Sequence, residues 1–220
     1  MGRTTGLPRV KLKSYAGVEE LRREFTTRKA SIRKRLDEFA GVRPEEHFYE
    51  LVYCLLTPQS SAVHAGKAVE KLRSGRTLES AADVAAVLRE KESYIRFHNT
   101  KARHLKEVEA RFPEIAVALC DGRSSGELRE WLVENVNGLG WKEASHFLRN
   151  IGHRDLAILD RHILRNLKRH GVIRTIPKTM TRRRYLDIEE KLLGFSRAIA
   201  ITTDELDLLF WSRETGEILK

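Results

Sequence analysis

The stretch Val136-Asn137-Gly138-Leu139-Gly140-Trp141-Lys142 decides how the rest of the chain is read. On its N-terminal side Leu128, Leu132 and Val136 recur at helical spacing, and on its C-terminal side Ala144, Phe147, Leu148 and Ile151 do the same. Two short amphipathic helices, predicted over 127–136 and 141–151, are therefore joined by a small-apolar-small turn. Glycine permits left-handed backbone and close approach, and the first amides of the second helix point outward at the positive end of its dipole. A phosphate fits such a turn, the signature of a helix-hairpin-helix, although a plain αα-corner also uses Gly-x-Gly.

Working outward, nearly every segment has helical periodicity and strand-like alternation is absent, so the chain is read as all-α. A first helix is predicted from about Val18 to Phe39, ending near Gly41. A second follows Pro44 with Phe48, Leu51, Val52 and Leu55 on one face, until Pro58 breaks it, and a third covers about 62–72. Leu78 to Leu88 reads as a buried helix. Residues 94–99 interrupt the pattern, which resumes through Ala110 before Pro113 and Gly122 punctuate it. Beyond the hairpin a helix over 161–170 has Asp160 as N-cap and Gly171 as C-cap, another is expected around 182–193, and the last opens with the capping box Thr202-x-x-Glu205 and closes before Gly216. Breaks at 41–44 and 152–155 divide the chain into a central bundle, 50–154, and a second lobe formed by both termini, 1–49 and 155–220, with the active site expected in the cleft between them.

The 220 residues can bury a sizeable core without disulfides. Cys54 and Cys120, both inside apolar helical patterns, are expected as buried free thiols. The N-terminus lacks the apolar core of a signal peptide, and no run of about eighteen apolar residues occurs, so no membrane span is expected. Lys plus Arg is 41 against 31 acidic residues, a net +10 that favours a polyanionic partner over a neutral metabolite. Much of this charge interleaves along helices and reads as solvated face; such a density would also suit a thermophile. The eight histidines show no metal-ligand spacing, so no metal site is expected from them.

Lys142 and Asp160 are the candidate chemical pair. A lysine in the first turn of a helix opposes the dipole and is ordinarily a solvated or phosphate-contacting side chain, but an amine becomes a nucleophile when desolvation or nearby positive potential lowers its pKa. Asp160 lies 160 − 142 = 18 residues downstream, after the apolar run Leu156-Ala157-Ile158-Leu159. A helix, a turn and an extended return would bring it beside Lys142, while it also caps the next helix.

Gly138-x-Gly140-x-Lys142 followed by Asp160 resembles the helix-hairpin-helix-GPD DNA glycosylase superfamily, over about 48–170. The lysine at 142 is similar to the bifunctional members, which cleave the glycosidic bond and then the strand. The segments YIRFHNTKAR (94–103) and LDLLFWSRETGEILK (206–220) resemble the archaeal-type, or type-2, 8-oxoguanine DNA glycosylase/AP lyase, extending the likeness over most of the chain. The resemblance implies Lys142 as nucleophile at the deoxyribose C1′ and Asp160 as its partner, Schiff-base formation and β-elimination, and a base pocket lined by Trp211 and the C-terminal Lys220. Core packing for Trp211 and a frayed end for Lys220 are the plainer readings. It also implies Gln59, in LLTPQS (55–60), as the side chain filling the gap left by an extruded base, unless Gln59 merely starts a helix after Pro58.

The expected partner is double-stranded DNA containing an oxidised base, held by the Gly138 and Gly140 amides with Arg161, Arg165 and Lys168 as basic contacts. No cofactor is expected beyond a monovalent cation that such hairpins often hold. The protein is expected to be monomeric and to lie on the nucleoid in the cytoplasm of a prokaryote, with a thermophilic archaeon suited by charge and resemblance. Endonuclease III-like enzymes share the lysine and aspartate but carry four cysteines for an iron-sulfur cluster. No cysteine follows Cys120 here, which removes the cluster while leaving an oxidised-pyrimidine substrate open. A non-catalytic helix-hairpin-helix DNA-binding module and a dimeric helix-turn-helix regulator, with 161–170 as recognition helix, are the competing classes.

Overall fold

The computed structural model describes residues 15–78 and 83–218. Among them there are ten α-helices and no strand: α1 Val18–Ala40, α2 His47–Leu56, α3 Ala62–Ser74, α4 Val84–Arg89, α5 His98–Cys120, α6 Ser125–Asn135, α7 Trp141–Asn150, α8 Arg161–Arg169, α9 Arg182–Ile199 and α10 Thr203–Thr215. No helix of the described residues is long and apolar enough to cross a membrane.

Apolar side chains collect in two cores. One gathers α2 to α7, from Leu51 to Leu156, around Leu56, Leu72, Leu105, Leu132 and Phe147. The other joins α1 to α8, α9 and α10 through Leu21, Ile32, Leu167, Tyr185, Phe195 and Phe210. The chain crosses from the first to the second between Leu156 and Ala157, in the extended return that ends at Asp160.

Buried polar contacts fix the two cores against each other. Arg129 of α6 makes two hydrogen bonds to the Glu189 carboxylate of α9, at 2.5 and 2.7 Å, and its guanidinium stacks near the Trp141 and Tyr185 rings. Glu189 also accepts the Ala157 amide at 2.8 Å, and the Tyr185 hydroxyl donates to the Ala157 carbonyl at 2.5 Å. Removing one partner of such a buried pair would cost about 3–5 kcal/mol, because the other charge is then stranded. The crossing segment that leads to Asp160 is therefore tied to α9.

Several expectations change. The helix predicted over 78–88 is shorter, with α4 starting at Val84; Leu78 is buried in a turn and 79–82 fall outside the described residues. Pro113 does not punctuate: α5 runs 23 residues through it. Its ring forfeits one backbone hydrogen bond, while Val108, Ile115 and Ala118 on either side pack into one core and keep the helix whole. Likewise α9 passes Gly194 and ends at Ile199, since Phe195 and Ile199 remain on its buried face. α6 begins earlier than predicted because Ser124 and Glu127 form a capping box. Cys54 is buried, but Cys120 at the end of α5 is exposed, where the helix leaves the core.

Candidate active site

The hairpin forms as the turn after α6. Leu139 N–H donates to Val136 O at 3.2 Å, Gly138 has φ 86°, and Gly140 is the N-cap of α7. Glycine is required at 138 twice over: its backbone is left-handed, and a Cβ there would collide with the His104 ring of α5. Gly140 has an ordinary φ, but the Glu143 carboxylate leans over it, 2.9 Å from where a Cβ would stand. Carbonyls around the hairpin are engaged: Val136 O by Leu139, Gly140 O by the Ala144 amide and Asn135 O by the Arg111 guanidinium at 2.6 Å. A resident guanidinium thus already occupies the Asn135 carbonyl.

Two residues into α7, Lys142 opens onto a cavity of about 1340 Å³ between the cores. That volume exceeds the roughly 300–1,000 Å³ of a small-molecule site, as an open cleft for a larger ligand would. Its lining also includes Asp160 and Arg161 from the start of α8, Gln59 from the loop between α2 and α3, and Trp211 from α10. Lys142, Asp160, Trp211, Gln59 and Arg161, placed on four separate segments, thus share one cleft. Arg165 and Lys168 are exposed further along α8 and do not line it. Lys220 lies outside the described residues.

The pairing within the cleft has its own logic. The Lys142 ammonium makes its ion pair with Glu143 at 3.0 Å, rather than with Asp160. Asp160 instead caps α8: one carboxylate oxygen accepts the His162 and Ile163 amides, both at 2.8 Å. Those two bonds orient the carboxyl group at the cleft edge, so capping and facing the cavity are compatible duties.

Other lining residues escaped the sequence reading. Lys142, His146 and Arg149 recur at i, i+4 and i+7 along α7, a polar stripe on a helix otherwise apolar at 144, 147 and 148; that spacing was the available signal. Arg149 is buried, faces the Phe39 ring at 4.5 Å and pairs with Asp207 of α10 at 3.5 Å. Asp207, four residues before Trp211, keeps its other carboxylate oxygen buried without a hydrogen bond. Burial pushes its carboxyl up to about 7, against the pull of Arg149, and the nearby charge of Asp160 adds to the rise. Beside the mouth Arg96 lines the cleft, and the exposed Phe97 ring lies under its guanidinium with left-handed backbone, φ 59°.

The chain is similar to known proteins over most of its length. The family model described as 8-oxoguanine DNA glycosylase matches residues 32–201. A curated 8-oxoguanine DNA glycosylase/AP lyase of Korarchaeum cryptofilum is 40% identical over 93% of this chain and all of its own, and one of Fusobacterium nucleatum is 37% identical over 91% and 96%. The crystal structure of the Methanocaldococcus jannaschii 8-oxoguanine DNA glycosylase superposes with a TM-score of 0.82 at 33% identity, covering 92% of this chain and 95% of that one. The same archaeon's 8-oxoguanine glycosylase/lyase in complex with a 15mer DNA containing 8-oxoguanine gives 0.81 at 34% identity, covering 92% and 99%. With three quarters of its length matched by the family model and relatives 37% and 40% identical over more than nine tenths of it, the chain belongs to the 8-oxoguanine DNA glycosylase family.

Proposed function

We propose that this protein excises 8-oxoguanine from double-stranded DNA and then nicks the strand, with Lys142 as nucleophile. The observation that carries the reading is the shared opening of Lys142, Asp160 and Trp211 on one large cleft between the cores, in a chain of +10 net charge.

A base stacked in duplex DNA is out of reach, so the damaged nucleotide must rotate into the cleft at a cost of a few kcal/mol, offset by phosphate contacts. The hairpin at Gly138 and Gly140 and the basic face of α8, Arg161, Arg165 and Lys168, supply those contacts. Gln59 fills the vacated stack. Trp211 offers an aromatic face to the extruded purine, and Lys220 is assigned to the same base pocket on the family resemblance alone. The monovalent cation would bind at the hairpin carbonyls, and no step depends on it.

In the resting protein Glu143 holds the Lys142 ammonium. As DNA draws the amine toward C1′, its proton passes to a carboxylate, Asp160, and the neutral nitrogen forms a bond to C1′. The glycosidic C–N bond breaks, and the base leaves with the electron pair and takes up a proton. Asp160 also stabilises positive charge growing on the sugar. Ring opening yields an imine with Lys142, which acidifies the C2′ proton; its removal expels the 3′ phosphate and leaves the nick. The protein acts as a monomer associated with the nucleoid.

Duplexes carrying 8-oxoguanine, an oxidised pyrimidine or no lesion, scored separately for base release and strand nicking, test this. Release and nicking specific to 8-oxoguanine are expected; a preference for the oxidised pyrimidine would reassign the substrate, and binding without release would make the chain a DNA-binding module.

A further inference from the structure

Gln59 is an exposed, non-glycine residue held at φ 55°. L-residues resist that conformation, and it persists only where the surroundings over-determine it. The Ser60 amide closes this turn on the Thr57 carbonyl at 3.0 Å, and Lys101 of α5, buried to 8% exposure, braces it. Its Nζ donates to the carbonyls of Leu56 and Pro58, each at 2.7 Å, and to Ser60 Oγ at 3.4 Å. The two residues that flank Gln59 are thus bonded to one cation, which also satisfies the Leu56 carbonyl at the end of α2. Ser60 Oγ in turn accepts the Arg96 amide at 3.0 Å, tying the loop to the turn before α5.

We infer that Lys101 is a positioning residue for base excision: its ammonium holds the 57–61 loop so that Gln59 projects into the DNA gap. This rests on the reading of Gln59 as the gap-filling side chain. Three features separate the arrangement from ordinary core packing. A buried cation is costly, and this one is solvated by the loop's own carbonyls rather than by a carboxylate. Its desolvation is felt, since burial draws the amine down to about 8. And the residue it brackets is the strained, outward-facing one on the cleft.

A double-mutant cycle tests it. Single-turnover excision from a duplex with 8-oxoguanine opposite cytosine is measured for wild type, Gln59→Ala, Lys101→Met and the double variant, with melting temperatures alongside. If Lys101 acts through Gln59, each single change slows excision about tenfold or more, a displacement-sized effect. The double variant is then no slower than the worse single one, within about twofold. Losses that multiply would overturn the assignment. Gln59→Ala excising at the wild-type rate would instead overturn the gap-filling reading and leave Lys101 without a target, whereas a slow Gln59→Ala with a normal Lys101→Met would sink Lys101 alone.

2-Aminopurine placed opposite the lesion gives a readout that mere destabilisation would not move. Lys101→Met and Gln59→Ala should change its fluorescence alike, and a wild-type signal from Lys101→Met beside a changed one from Gln59→Ala would contradict the proposal. Should Lys101→Met fail to fold, Ser60→Ala removes one of the ammonium's three partners. A smaller loss is expected, absent in the Gln59→Ala background; a loss that persists there would count against it.

Discussion

The hairpin at 136–141 delivers Lys142 to the cleft and the loop at 57–61 delivers Gln59; each passes through left-handed backbone once, at Gly138 with φ 86° and Gln59 with φ 55°. In the hairpin the side chain is dispensed with. Glycine removes the strain, the His104 ring occupies the space a Cβ would need, and the product is bare backbone. In the loop the side chain is kept, and the strained turn, closed by the Ser60 amide on Thr57, is braced by one buried ammonium bonded to the residues on either side of Gln59. A surface that must approach phosphates asks for the first solution, and one that must put a side chain between bases asks for the second.

The largest way to sharpen that contrast lies downstream of the hairpin. Asp160→Asn keeps an N-cap of equal quality, so the fold and the melting temperature should hold while excision falls on the order of 10²–10⁴-fold. A fall in stability that accounts for the lost rate would mean that Asp160 is only a cap. Next, Gly138→Ala should destabilise the protein by about 2–4 kcal/mol in chemical denaturation and weaken DNA binding, combining left-handed strain with the His104 clash. Adding His104→Ala should return only the steric share. Full recovery would show that the backbone conformation is unimportant, and the two turns would no longer differ in kind.

The opposite wall offers a smaller effect. Asp207 titrates at 3.8 in the ordinary case and about 7 in the folded protein, so over that interval the folded state keeps a proton which the unfolded chain has released. Its contribution to stability is present below about pH 4 and is lost as pH rises through 7. Asp207→Asn, which cannot ionise, should gain on the wild type in melting temperature between pH 5 and pH 8; parallel curves would show that the carboxyl titrates normally. Smallest of all, Gln59→Gly should leave stability unchanged or raise it by up to about 1 kcal/mol by relieving the strained backbone, while slowing excision. A marked loss of stability would mean that the loop is held by the Gln59 side chain rather than by Lys101.

What the sequence could disclose followed the range of the interactions involved. Short-range chemistry was legible: the hairpin turn, the Asp160 cap and the Thr202/Glu205 box depend on neighbours within four residues and form as read, whereas the His104 ring that also excludes a side chain at 138 comes from α5. Misreadings came where tertiary packing overrode local rules. Pro113 is carried through α5 by the core on either side of it, α9 continues past the expected end at 193 in the same way, and Cys120 is exposed because the helix outruns the core. The site divides similarly. Lys142, Asp160, Gln59, Trp211 and Arg161 meet at the cleft, whereas the Glu143 pairing, the orphaned Asp207 oxygen and the buried Lys101 depend on which atoms lose water, which no spacing rule encodes.

The central claim is that the amine of Lys142 forms the covalent bond to DNA. Borohydride reduction during reaction with an 8-oxoguanine duplex, followed by mass-spectrometric mapping of the adduct, addresses it directly. A single DNA-modified peptide carrying Lys142, absent with Lys142→Gln, is the result expected; an adduct on another amine, or undiminished trapping by the variant, would contradict the account.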